Sequence, residues 1–356
     1  MPSPQPHLFV EISSHGFGHL AQTAPVLNRL AELLPALKIT LRSGLPAEKL
    51  RQRIRTPFEH IAAASDFGYV MVDALTIDHD ATRARYRAQH ADFNDRVAAD
   101  AALLRDLQVN AVFSNVAYIP LAGAVQAGIP ALAMCSLNWA DLYAHYFGAD
   151  AIHAEMLAAY RSATFLRTTP GMPMAALDRT ISIGPLASRG NERRAELRAK
   201  VSAGETARMV IVALGGVPVR LPVEDWPIVP DTHWLIPAAW HVQRDDMHAF
   251  EPLDWPFVDL LRSVDAVITK PGYGTFTEAA CNGATVIFQR RDNWPEQECL
   301  LDWLHAHARC AEVSASDLAA GNLDAALAAC EKAAVPSPLT FDGADDAARQ
   351  LRALLA

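Results

Sequence analysis

Residues 265–298, DAVITKPGYGTFTEAACNGATVIFQRRDNWPEQE, decide the fold. They predict strand, glycine turn, helix, strand and polar loop, in that order. Val267 and Ile268 close a short apolar run. Pro271-Gly272-Tyr273-Gly274-Thr275 then turns the chain, a helix runs from Phe276 through Cys281, and Gly283 stops it. A second apolar run, Val286-Ile287-Phe288, opens onto a charged loop. A glycine turn that feeds a helix gathers free backbone N–H groups and the positive end of the helix dipole at one point, which suits a phosphate. In an open α/β sheet that point lies at the carboxyl ends of the strands, where ligands bind.

The same alternation runs through the rest of the chain. Residues 7–13 (HLFVEIS) predict a strand, and 19–34 a helix with Leu20, Ala24, Leu27, Leu30 and Leu34 on one face. Strands are expected at 37–42, 110–113, 130–135 and 163–166, with helices at 46–54, 82–107, 118–128 and 150–160. Alternating strands and helices imply parallel sheets with right-handed crossovers. Residues 168–190 turn rich in Gly, Pro and Ser, which marks a boundary. A second α/β unit starts at 207–216, with strands near 232–236, 265–268, 285–288 and 310–313. Its helices are expected near 256–263, 275–282, 296–308 and 315–329; residues 217–230 hold four prolines where a long helix would otherwise stand. The expected organisation is an N-terminal Rossmann-like domain over 1–170, a C-terminal one over 190–335, and a final helix over 340–356.

Composition narrows the function. A chain of 356 residues is too long for one ordinary core. With 51% hydrophobic and 20% charged residues it is globular. A net charge of −9 argues against nucleic acid as a partner. Five cysteines, odd in number and widely spaced without a CxxC, suggest neither a disulfide framework nor a zinc knuckle. A reducing cytoplasm is the expected location. MPSPQPH has no signal pattern, and the apolar region 111–137 is interrupted by Asn115, Pro120, Gln126, Gly128 and Pro130, so no transmembrane segment is expected. Peripheral membrane contact stays open.

The strings KPGYGT (270–275), with Glu278 three residues on, and HGFGH (15–19) carry a resemblance. Together with the acidic/Gln loop that follows, they resemble the GT-B glycosyltransferases, in the GT28-like branch. Still closer is the glycosyltransferase-like N-terminal region of L-arabinokinases, which shares SSHGFGH, KPGYGT and the RRD loop. The resemblance implies a GT-B fold, two Rossmann-like doubly wound domains facing across a cleft. It implies a donor nucleotide, UDP, on the C-terminal domain and an unidentified acceptor on the N-terminal one. The implied activity is inverting glycosyl transfer without a metal, the nucleotide-sugar being a co-substrate and no cofactor expected. A non-catalytic nucleotide-sugar sensor and a UDP-sugar epimerase of the same fold are the alternatives.

Each motif has its own chemistry. Gly16 and Gly18 are expected to let the backbone turn tightly and approach a ligand. His15 and His19 flank that turn, and either is suited to take a proton from an acceptor hydroxyl. His19 aligns with the Gly-Gly-His histidine of the family. Gly215-Gly216, after the first strand of the second unit, and the Gly272-Tyr273-Gly274-Thr275 turn are expected to hold the diphosphate. The N–H groups of Gly274, Thr275 and Phe276 would stabilise the leaving phosphate, with Lys270 or Arg290 adding charge. By resemblance Glu278 accepts bonds from the ribose hydroxyls. The loop with Arg290, Asp292, Glu296 and Gln297 is expected to face the donor sugar, whose hydroxyls carboxylates and amides recognise. Ser114-Asn115 and Asn138-Trp139 are either acceptor-pocket residues or simple loops. Asp78-His79-Asp80 is expected to be a helix cap, and His305 and His307 do not share a helix face.

Overall fold

The computed structural model describes residues 5–73, 75–215, 219–334, 336 and 339–356. The strands are β1 His7–Ile12, β2 Lys38–Arg42, β3 Glu59–Ile61, β4 Ala111–Asn115, β5 Ala131–Cys135, β6 Thr164–Thr168 and β7 Thr180–Ile183, then β8 Arg208–Val212, β9 Thr232–Ile236, β10 Met247–Ala249, β11 Ala266–Thr269, β12 Thr285–Phe288 and β13 Cys310–Glu312. The helices are α1 Phe17–Leu33, α2 Ala47–Arg53, α3 His79–Ala91, α4 Phe93–Asp106, α5 Ile119–Ala127, α6 Trp139–Phe147 and α7 Ala151–Arg161, then α8 Arg194–Lys200, α9 Phe257–Ser263, α10 Tyr273–Asn282, α11 Gln297–His307, α12 Ala315–Ala320, α13 Asp324–Lys332 and α14 Gly343–Leu354.

The chain divides into two compact units. One holds Met1–Val72, Ile77–Leu186 and Thr340–Ala356; the other holds Asp73–Thr76 and Ala187–Leu339. The first contains a sheet ordered β3-β2-β1-β4-β5-β6-β7, the second a sheet ordered β10-β9-β8-β11-β12-β13. Every strand pair in both is parallel. In each sheet the order reverses beside the first strand, between β1 and β4 and between β8 and β11, and such a switch point opens a crevice at the strand carboxyl ends.

Burial on both faces explains the unbroken apolar strands. β1 and β4 are buried along their whole length, as are β11 and β12. In the first unit Phe9 and Val112 pack with Leu104 and Ala124. In the second, Val210, Val212, Ile268 and Ile287 pack with Trp226 and Trp234. The proline-rich stretch after β8 includes a short 3-10 turn, Val223–Asp225, and delivers Trp226 edge-on to Trp234, with ring centroids 5.1 Å apart. The last helix, α14, lies against α1, where Arg29 donates to Asp345 at 2.7 Å.

Some expected elements divide. The single helix predicted over 82–107 is two, α3 and α4, separated at Asp92. There His90 turns inward to meet Glu155 at 2.6 Å and the Tyr118 hydroxyl at 2.8 Å, and Phe93 stacks on its ring at 5.1 Å. The helix predicted over 315–329 is likewise two, α12 ending at Gly321 in the left-handed conformation. The short strands β3, β7 and β10 and the helices α6 and α8 were not anticipated. Asp78 caps α3 as expected, accepting from the Ala81 N–H at 2.9 Å. Among the described residues no helix is long and apolar enough to cross a membrane.

Candidate functional site

In the first unit the candidate site sits where β1 ends and α1 begins. Gly16 is the N-cap, with φ 171, and Gly18 is inside the helix. Neither glycine has a backbone conformation reserved for glycine, and the chain bends at Ser14 and His15 before α1 begins. What they provide is space: a Cβ at either position would meet nothing within 4 Å.

The two histidines differ sharply. His19 is 7% exposed, and its Nδ1 lies 3.0 Å from Asn115 Oδ1 at the end of β4. The Asn115 amide nitrogen in turn donates to Gln22 at 3.4 Å, and Gln22 donates to the Ser136 hydroxyl at 3.1 Å. That chain leaves Asn115 Oδ1 as the acceptor, so His19 carries its proton on Nδ1 and a lone pair on Nε2. Burial pushes the imidazole down to about 4, against a smaller opposing effect of the Asn115 bond, and keeps it neutral.

His15 is half-buried, and its Nδ1 accepts the Tyr69 N–H at 3.2 Å. A neutral His15 therefore carries its proton on Nε2. Gly68 makes this contact feasible: its φ is +64, and a Cβ there would stand 2.7 Å from the His15 ring. Trp139 joins the two histidines, its ring edge-on to His15 at 5.4 Å and to His19 at 5.7 Å. Its indole N–H donates to Asp66 at 2.7 Å, and burial raises that carboxyl to about 6.

Around HGFGH the structure thus gathers Asp66, Gly68 and Tyr69, which the sequence reading missed. The string SDFGY (65–69), an acid followed by a glycine between two aromatics, was the available signal. Asn115 and Trp139 both contact the histidines of HGFGH. Ser114 turns away to bond the Ala117 carbonyl at 2.6 Å, and Asn138 caps α6.

In the second unit the corresponding place lies after β8 and β11. Gly215 follows β8 with φ +95, and Gly216 lies outside the described residues. Lys270 follows β11, its Cε 3.2 Å from where a Gly215 Cβ would be. Burial pushes the Lys270 ammonium down to about 7, Arg291 adds to the effect and Asp73 opposes it. Gly272 is the N-cap of α10. Phe276, expected to offer its N–H to the phosphate, instead donates it to the Gly272 carbonyl at 3.1 Å. Tyr273, Gly274 and Thr275 form the first turn ahead of that bond, where a helix has no internal acceptors for its N–H groups. Glu278 lies one turn on and is 2% exposed.

No family model matches the chain. Its structure is similar to that of CalG4, the calicheamicin glycosyltransferase, with a TM-score of 0.64, 16% identity and 99% of both chains covered. It is also similar to a UDP-glucosyltransferase from Polygonum tinctorium, at a TM-score of 0.61 and 14% identity over 100% of this chain and 99% of that one. The glycosyltransferase VinC, solved in complex with dTDP, matches at 0.58 and 15% identity over 98% and 95% of the two chains. The chain has the GT-B glycosyltransferase fold. By sequence this GT-B chain is similar to the Arabidopsis thaliana L-arabinokinase, 25% identical over 329 residues. The match covers 87% of the chain but only 30% of that protein.

The loop that follows β12 in this GT-B chain differs from expectation in its side-chain roles. Arg290 points to two carboxylates, Glu312 at 2.9 Å and Glu298 at 2.7 Å, so its charge is already matched. Its neighbour Arg291 is the buried one, with the guanidinium 3.9 Å from the centroid of Trp294. Gln297 accepts the Arg291 N–H at 2.7 Å, and Glu296 accepts the Trp294 indole N–H at 3.1 Å. Both side chains therefore shape the loop. Asp292 is exposed, and Asn293 does not cap α11, whose N-cap is Glu296.

Proposed function

We propose that the protein is an inverting glycosyltransferase that moves a sugar from a nucleotide donor, UDP by preference, to an acceptor hydroxyl without a metal ion. The observation that carries this reading is His19, a buried neutral histidine whose bond to Asn115 leaves Nε2 ready to accept a proton. A nucleotide-binding module has no need of such a group.

The donor belongs to the second unit. Its diphosphate would meet the first turn of α10 and Lys270, and its ribose Glu278. The acceptor belongs to the first unit. His19 Nε2 takes the hydroxyl proton as the oxygen attacks the anomeric carbon. The new C–O bond forms as the bond to the phosphate oxygen breaks, and the departing electron pair leaves on the nucleoside diphosphate. Backbone N–H groups and a lysine stabilise that growing charge as they would any oxyanion. Asn115 is a positioning residue that holds the His19 tautomer. His15 Nε2–H is a donor that orients an oxygen.

The test is a panel of nucleotide sugars incubated with the full chain, read by release of nucleoside diphosphate and by mass analysis of the sugar product. Diphosphate release that survives a chelator supports the reading. Binding without release indicates a sensor, and a new nucleotide sugar indicates an epimerase. Activity abolished by chelator and restored by Mg²⁺ or Mn²⁺ overturns the metal-free step.

A further inference from the structure

The strands of the second sheet all run the same way, so their amino ends share one edge and the α10 turn lies at the other. Strands of this length separate the two edges by roughly 13–17 Å. At the amino edge is a cavity of about 420 Å³, ringed by Arg194, Arg198, Arg208 and Arg309. Small-molecule sites span ~300–1,000 Å³.

Three of these arginines are occupied. Arg194 is paired with Asp265 and donates to the Val264 carbonyl at 3.1 Å. Arg208 is paired with Glu331. Arg198 donates twice to the Ala207 carbonyl, at 3.1 and 2.9 Å. Arg309 differs. It is half-buried, and among the described residues its guanidinium has no carboxylate or carbonyl partner. It lies close enough to Cys330 to favour the thiolate there. Four guanidiniums thus stand against three carboxylates, Asp231, Asp265 and Glu331, in a chain whose net charge is −9. A half-buried guanidinium with no fixed acceptor keeps its donor fork available, and a planar oxyanion edge is its best complement. Thr206 and Thr285 line the same cavity and bring hydroxyl groups to it, while the Thr232 hydroxyl donates to the Pro230 carbonyl at 3.4 Å.

We propose that this cavity binds a phosphate-bearing small molecule, with Arg309 as its principal anion contact, at a site separate from the candidate nucleotide turn. The volume exceeds what a phosphate alone requires and leaves room for a sugar-sized group. The site does not depend on the glycosyltransferase assignment.

The experiment titrates inorganic phosphate into the full chain at constant ionic strength by calorimetry, without and with saturating UDP. The wild type should bind saturably, with the same affinity in both series. Arg309→Ala should weaken binding about tenfold or more, the loss of a charge-assisted bond worth ~1.4 kcal/mol. Arg309→Lys should keep part of it, and circular dichroism checks that each variant folds. If Arg309→Ala does not fold, Arg309→Gln gives the same reading. Three results overturn the proposal: no saturable binding by the wild type, equal binding by the Arg309 variants, or displacement of phosphate by UDP. If UDP itself does not bind, the nucleotide reading fails and the comparison of Arg309 variants still decides this one.

Discussion

HGFGH and KPGYGT are built alike and furnished differently. Each follows a buried parallel strand at a switch point of its sheet, and each opens a helix. The first is surrounded by aromatic rings and uncharged hydrogen-bond partners: Trp139, Tyr69 and Asn115. The second is bordered by cations, Lys270 and Arg291. Both environments depress a basic group by burial, but to opposite ends. His19 stays neutral and can accept a proton from a hydroxyl. Lys270 is poised near neutrality, where an arriving anion would recharge it. In the proposed reaction one backbone device serves proton removal in one unit and charge stabilisation in the other.

The sharpest way to break that comparison is to exchange the histidines one at a time. His19→Ala should lower kcat by ~10²-fold or more, the scale of a lost general base. Affinity for the donor nucleotide should stay near wild type, since its proposed contacts lie in the other unit. His15→Ala should cost less, because a donor that orients an oxygen is lost and the base remains. A larger loss for His15→Ala than for His19→Ala would reverse the assignment of tautomers to roles.

A smaller effect tests the other half. Lys270→Met should weaken UDP binding by about 10–100-fold, the worth of a hydrogen bond to a charged group. The wild type carries a second signature. Above pH 7 a lysine with a pKa of about 7 is largely neutral, and a bound diphosphate pulls it back to the ammonium form. Calorimetry near pH 8.5 in buffers of different ionisation enthalpy should therefore show proton uptake on UDP binding, and Lys270→Met should abolish it. Uptake that persists in the variant would locate the proton elsewhere.

The sequence made the scaffold legible because short apolar runs such as Val267–Ile268 and Val286–Phe288, cut by glycine, admit few other structures. The break at Asp92 was not legible, since it owes nothing to Gly or Pro. It follows from His90 turning in to partners on α7 and in the loop before α5. The same holds for the site. HGFGH announces itself, but Asp66, Gly68 and Tyr69 reach it from a loop more than forty residues away. In the RRD loop the adjacent arginines look equivalent in sequence. Only packing against Trp294 decides that Arg291 goes in and Arg290 stays out among carboxylates.

The smallest effect, and the most specific, concerns what lies behind His19. Asn115 fixes the tautomer but offers no charge, so its hydrogen bond only partly opposes the desolvation that holds the imidazole at about 4. The acid limb of kcat/KM should then fall near pH 4, well below the 6.5 of a solvated histidine. Folding stability follows the same group. Between the folded value of about 4 and the unfolded 6.5 the unfolded chain binds the extra proton, so stability falls as pH drops through that window, by roughly 3 kcal/mol in all. Asn115→Asp places a carboxylate at Nδ1, which raises a neighbouring histidine by ~1–3 units. The acid limb should move up toward neutrality and the pH-dependent loss of stability should shrink, with little change in turnover at pH 8. If the variant leaves the limb unmoved, or if the wild-type limb already lies near 6.5, then His19 is not the group that takes the proton.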